Sequence, residues 1–217
     1  MNPLSSLILS FFLFTFIINL PSNTAAPSQV VDSNGNPLTY GNQYFIFPAS
    51  DNPSIGAPTL NKISDSECPL TVLQNNAKLG IPVKFTAAES TTGNILTGTD
   101  LEIEFTEKPS CAERSQWMVF VDNTTQLSCI GIGGPGNYRG VKTTCGKFLI
   151  AKHGSGGVYR LGFCLDNDGD CGYLGLKDFG GEEGGFRFIV TVTDAYSVVF
   201  VPAASVKSVA GVEISNI

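Results

Sequence analysis

The stretch DSNGNPLTYGNQYFIFPA, Asp32–Ala49, sets the reading of this chain. Its first half is turn chemistry. Asn34-Gly35 tolerates a positive φ, and Pro37 stiffens the exit. Leu38 and then Tyr44, Phe45 and Ile46 lead into a dense aromatic and β-branched run, so a short strand is expected directly after a tight turn.

Outward from there the same alternation recurs. Short apolar runs bounded by Gly, Pro, Asn or Asp predict strands over 43–47, 59–63, 69–74, 82–87, 101–105 and 117–121. Six more follow over 127–131, 147–152, 158–164, 172–176, 186–193 and 197–201. Leu101-Glu-Ile-Glu-Phe105 alternates cleanly, which buries one face and wets the other. Phe186-Arg-Phe-Ile-Val-Thr-Val192 does nearly the same. Helical periodicity is hard to find. Regular short strands mean an all-β sandwich or barrel, and twelve of them divide into three groups of four, the arithmetic of a β-trefoil. Periodicity by itself leaves the sandwich open.

Composition agrees. The chain has 217 residues, 42% hydrophobic and only 15% charged, with 24 Gly and 12 Pro. That excludes a charge-laced helical bundle, a coiled coil and a disordered chain. The net charge of −6, with no basic run, excludes a nucleic-acid binder. Leu7–Leu20 is predominantly apolar and uncharged but shorter than the ~20 residues that span a bilayer. Small and polar residues follow at 22–26, so residues 1–25 read as a secretory signal peptide and 26–217 as one domain. The expectation is a secreted protein, apoplastic or vacuolar, that is not held in a membrane.

Six cysteines, Cys68, Cys111, Cys129, Cys145, Cys164 and Cys171, all follow that segment. An even number in a secreted chain reads as disulfides, with fifteen possible pairings. Zinc is disfavoured because there is no CxxC pair and a single histidine, His153. Asp166-Asn-Asp168-Gly-Asp170 has Gly at the fourth rather than the sixth place of a calcium loop and Lys177 at the twelfth, so it reads as an acidic turn. His153-Gly-Ser155-Gly-Gly157 lacks the first Gly of a nucleophile elbow. No metal, cofactor or catalytic set is expected. Asn123-Thr124-Thr125 is the N-glycosylation sequon, at Asn123.

Asp32 to Ile46 resembles the N-terminal signature of the plant Kunitz-type (soybean trypsin inhibitor-like) protease inhibitor family. Ser66-Glu-Cys68-Pro-Leu-Thr-Val72 resembles that family's first cysteine strand, and Cys111-Ala-Glu-Arg-Ser-Gln-Trp117 its second cysteine followed by Trp. Tyr159–Cys164 through Cys171–Gly175 resembles its C-terminal cysteine pair. The resemblance spans about 32–202 and implies a disulfide-braced β-trefoil. It also implies Cys68–Cys111, worth roughly 4 kcal/mol in the chain-entropy model, and Cys164–Cys171, worth roughly 2 to 2.5. Cys129 and Cys145 remain, and a third bridge between them is expected.

The resemblance further implies a monomeric, non-enzymatic inhibitor of a serine endopeptidase that offers a rigid substrate-like loop. Anchored by Gly80-Ile81 and Glu104-Phe105, that loop places its tip at Glu89, Ser90, Thr91 and Thr92. The tip has no Arg or Lys and suits a small or polar pocket. The asparagine that struts the loop in inhibitory members falls at Tyr40, with Asn42 out of register. A second exposed loop, between Cys129 and Cys145, offers Tyr138, Arg139 and Lys142. The alternative is a trefoil that does not inhibit and serves in binding, storage or defence.

Overall fold

The structure, a computed structural model, describes residues 26–50, 56–62, 66–74, 79–87, 92–166, 169–179 and 185–206. Thirteen strands carry it: β1 (Gln43–Pro48), β2 (Pro58–Asn61), β3 (Thr71–Gln74), β4 (Val83–Thr86), β5 (Glu102–Phe105), β6 (Trp117–Val121), β7 (Ser128–Ile132), β8 (Thr143–Thr144), β9 (Gly146–Lys152), β10 (Tyr159–Leu165), β11 (Cys171–Asp178), β12 (Phe186–Thr191) and β13 (Ser197–Pro202). Every predicted strand is present, within a few residues at each end. The additional one, β8, is two threonines long and pairs only with β6, which is too short to leave a period in the sequence.

The pairing closes a ring. β1 pairs β4, β4 pairs β5, β9 pairs β10, β10 pairs β13 and β13 returns to β1. The remaining joint, β5 to β9, is made by Leu101 and Phe148, whose amides donate to each other's carbonyls at 2.8 and 3.0 Å. Three hairpins, β2–β3, β6–β7 and β11–β12, cap one end of this six-stranded barrel. They also pair with one another, through β12–β3, β12–β7 and β3–β7. Three repeats of four strands in this arrangement are a β-trefoil.

Alternation puts the core in place. Val83 and Phe85 of β4, Ile103 and Phe105 of β5, and Val198 and Phe200 of β13 are buried, while Lys84, Glu102 and Glu104 between them are half-buried. Trp117 seats the cap on the barrel. Its ring lies 5.3 Å from Phe105, 6.2 Å from Phe148 and 6.1 Å from Phe188. In β12 the alternation is local, because Phe188 is buried while Phe186 and Val192, at either end of the run, stand exposed. Among the described residues no helix is long and apolar enough to cross a membrane.

The opening turn forms as its residues dictate. Gly35 has φ 81°, and the buried Asp32 carboxylate accepts from the amides of Asn34 at 2.8 Å and Asn36 at 2.9 Å. This folds Leu38 into the core.

Asp122 organises the β6–β7 turn, accepting from the amides of Thr124 and Thr125, from the Thr125 hydroxyl and from Arg187. Burial acts to raise its carboxyl, but the Thr125 and Thr124 donors and the Arg187 guanidinium outweigh it and hold it below the ordinary carboxylate value. A carboxylate depressed in the folded state stabilises fully above its unfolded pKa, near ~3.9, and loses that contribution as pH falls through the folded value. Asp122→Asn is therefore expected to cost about 2 kcal/mol at pH 7. The difference in Tm between wild type and variant should stay level above about pH 5 and shrink as acid protonates Asp122. A difference that grows toward acid refutes this assignment.

Candidate functional site

Two loops bear on the expected protease-facing residues, one from the barrel and one from the cap. The first joins β4 to β5. Glu89, Ser90 and Thr91 lie outside the described residues, and Thr92, at the shoulder, is exposed. The base of the loop is fixed from below by the N-terminal ribbon. Consecutive amides hold its two legs: Gly41 N donates to Phe85 O at 3.1 Å, and Tyr40 N to Gly93 O at 3.1 Å. Deeper in, Ile95 N donates to Leu38 O at 2.8 Å and Val30 N to Ile95 O at 2.9 Å. The ribbon is itself held by tyrosine hydroxyls, with Val31 N donating to Tyr159 and Thr39 N to Tyr44.

The Tyr40 side chain packs against the core, and its backbone performs the bracing. Asn42 donates its side-chain amide to the Thr39 hydroxyl at 2.6 Å. The legs of the loop are thus held by backbone, whichever side chain stands at 40.

The second loop runs from β7 through a single 3₁₀ turn, Pro135–Tyr138, to β8. Three findings correct the expectation here. First, Cys129 and Cys145 are not bonded. β7 and β8 flank β6 on opposite sides, for Phe120 is opposite Cys129 on one and Thr143 on the other. Two strand spacings of about 4.8 Å separate them, beyond the ~7 Å that a disulfide can span between Cα atoms. Second, Tyr138 is a core residue. It stacks 5.0 Å from Phe120 and donates its hydroxyl to Ile132 O at 3.1 Å, and burial pushes its pKa far up. Third, the brace is a side chain that the sequence reading missed, Asn137. Its Oδ1 accepts from Glu113 N at 3.0 Å and Gly134 N at 3.1 Å, and its Nδ2 donates to Cys111 O at 2.9 Å. The one available signal was its place in Gly133-Gly-Pro-Gly-Asn137, since asparagine in turns bonds nearby backbone. Arg139 and Lys142 are exposed, as expected.

The other two bridges, Cys68–Cys111 and Cys164–Cys171, are formed. Cys129 is buried against Ile189, and desolvation pushes its thiol up to about 12, whereas Cys145 is exposed. A native, non-reduced sample treated with iodoacetamide should take up label at Cys145 and not at Cys129. Denaturation without reductant should then expose the second thiol. Recovery of a Cys129–Cys145 peptide pair would contradict the strand order. Among the described residues no group of His, Cys, Asp or Glu side chains is arranged to hold a metal ion.

A β-trefoil that presents braced, exposed loops on a disulfide-tied frame is a scaffold for gripping another protein. The family model for legume Kunitz proteins, described as "Trypsin and protease inhibitor", matches residues 30–201, and the chain belongs to that family. It is 50% identical over 208 residues to the Kunitz-type trypsin inhibitor-like 1 protein of Pisum sativum, covering 94% of each chain. It is 38% identical over 179 residues to subtilisin inhibitor CLSI-II of Canavalia lineata, covering 81% of this chain and 93% of that one. A crystal structure of a Kunitz type trypsin inhibitor from Cicer arietinum superposes with a TM-score of 0.76 at 49% identity, over 81% of this chain and 99% of that one. The family is one of protease inhibitors, which bind enzymes and catalyse nothing themselves.

Proposed function

We propose that this protein is a monomeric, secreted inhibitor of serine endopeptidases whose primary pocket is small or uncharged, and that the loop around Glu89–Thr92 enters the protease cleft. The observation that carries this is the pair of consecutive amides, Tyr40 and Gly41, gripping both legs of the loop. A loop held at both ends loses little conformational freedom on docking, and that saving appears directly in affinity. The tip chemistry selects the target. Glu89-Ser90-Thr91-Thr92 offers small polar side chains and no cation, which suits a pocket of the elastase kind over the acidic pocket of trypsin. The similarity to a subtilisin inhibitor supports action on a protease other than trypsin. Residues 1–25 serve as the secretory signal. The exposed Asn123, in the β6–β7 turn, carries the glycan if the chain is glycosylated.

The test is a panel of elastase, subtilisin and trypsin, together with a cysteine and an aspartic protease, each titrated with the mature protein. Inhibition of elastase or subtilisin that falls at least tenfold in Ser90→Pro/Thr91→Pro, at unchanged Tm, is the expected result. Inhibition of the cysteine or aspartic enzyme alone, or no inhibition at all, would refute the proposal.

A further inference from the structure

We infer that the Arg139 loop is a second recognition site, independent of residues 88–92, for a serine endopeptidase with an acidic primary pocket. The inference rests on the reading that the chain inhibits serine endopeptidases, and it adds a second target class at a different surface.

Presentation comes first. Arg139 follows the buried Tyr138 and precedes Gly140, and it is exposed, with no ion pair to any described residue. Nothing lies within 4 Å of where a Cβ at Gly140 would sit, so the tip stands clear of the body. Lys142 is also exposed, but its carbonyl accepts from Val121 N at 2.8 Å, which holds it against the sheet beside β8. Arg139 is the cation at the tip of the turn.

Rigidity comes next. The entry to the loop is held by the three Asn137 hydrogen bonds to Gly134, Glu113 and Cys111, and Cys111 is itself tied to Cys68. The middle is held by Tyr138 in the core, and the exit by Val141 N to Tyr138 O at 3.0 Å and by the Lys142 carbonyl. Arg139 is thus preorganised as the first loop is, but by side chains instead of a backbone ribbon. An arginine that meets a buried pocket carboxylate forms short, charge-assisted hydrogen bonds, the interaction that the cation-free first loop lacks.

The backbone adds a distinguishing feature. Arg139 is extended, with φ −60° and ψ 123°, but Gly140 turns into the left-handed region at φ 76°. The chain therefore leaves the extended path directly after the arginine. The side chain can fill the pocket while the residues that follow Gly140 depart from the extended path a substrate takes through the cleft, so the bound loop stays uncut.

The experiment uses the mature protein with pancreatic trypsin and elastase as probes. Wild type should bind trypsin, Arg139→Ala should weaken that binding at least tenfold, and Arg139→Lys, which keeps the cation, should restore most of it. Elastase inhibition should be unmoved by either change. Both are exposed substitutions, so Tm should stay within about 2 °C and exclude misfolding as the cause. Mass spectrometry should find the Arg139–Gly140 bond intact after prolonged incubation with trypsin. Trypsin binding that is absent, that survives Arg139→Ala, or that falls only in the Ser90→Pro/Thr91→Pro variant overturns the inference, as does rapid cleavage at Arg139. Trypsin bound through Arg139 with elastase and subtilisin both untouched would overturn the 88–92 assignment and leave this one standing.

Discussion

Replacing Cys68 and Cys111 together by serine should lower stability by about 4 kcal/mol, because the bridge closes a loop with a sequence separation of 43. For a domain of this size each kcal/mol moves Tm by about 2–4 °C, so the midpoint should fall by roughly 8–16 °C. The companion variant at Cys164 and Cys171, separated by 7 residues, should lose about 2.5 kcal/mol. The ordering of the two is the firm part, since both share one unfolded chain. The larger variant should also disturb a particular place. Cys111 lends its carbonyl to Asn137, so freeing it loosens the Arg139 loop. Hydrogen exchange at Gly134 and Glu113, whose amides bond to Asn137, should accelerate more than exchange in β9–β10. Equal losses in the two variants would show that loop closure is not what these bridges contribute.

Trp117→Ala should cost about 3–5 kcal/mol, the range for emptying a large aromatic site in a packed core. The ring is 3% exposed and touches three phenylalanines from β5, β9 and β12, so a cavity there separates cap from barrel. Trp117→Phe is the informative control. Among the described residues the indole Nε1 has no hydrogen-bond partner, so phenylalanine forfeits volume and no bond. It should cost about 1–2 kcal/mol, well short of the alanine variant. Trp117 is the sole tryptophan, so its emission in the wild type reports this one site and should be blue-shifted until the fold opens. A phenylalanine variant as unstable as the alanine variant would mean that the indole N–H is bonded after all.

Much of this fold can be read from the chain because its signals are local. Twelve of the described strands follow a period-two pattern or an apolar run between turn residues. Gly35 and Asp32 encode their turn within five positions. What escaped depends on partners distant in sequence. Nothing in Thr143-Thr144 announces a strand, because β6 alone makes it one. Cysteine arithmetic pairs Cys129 with Cys145 by number, whereas β6 keeps them apart in space. Tyr138 sits in a glycine-rich stretch and looks exposed, yet the Ile132 carbonyl satisfies its hydroxyl and lets it sink. At the first loop the clamp on the two legs was not legible, since backbone amides carry no sequence signature.

The ring of β1, β4, β5, β9, β10 and β13 has a further consequence. An endopeptidase digests a chain by laying it out as an added strand in its own cleft, which requires backbone amides and carbonyls with no other commitment. A closed barrel has no such edge to give. The barrel is therefore poor food for an endopeptidase, which is left with the loops and with the edge strands of the cap, β2 and β8. Resistance of the barrel to digestion is in this sense a property of topology, settled before any residue at a loop tip chooses an enemy.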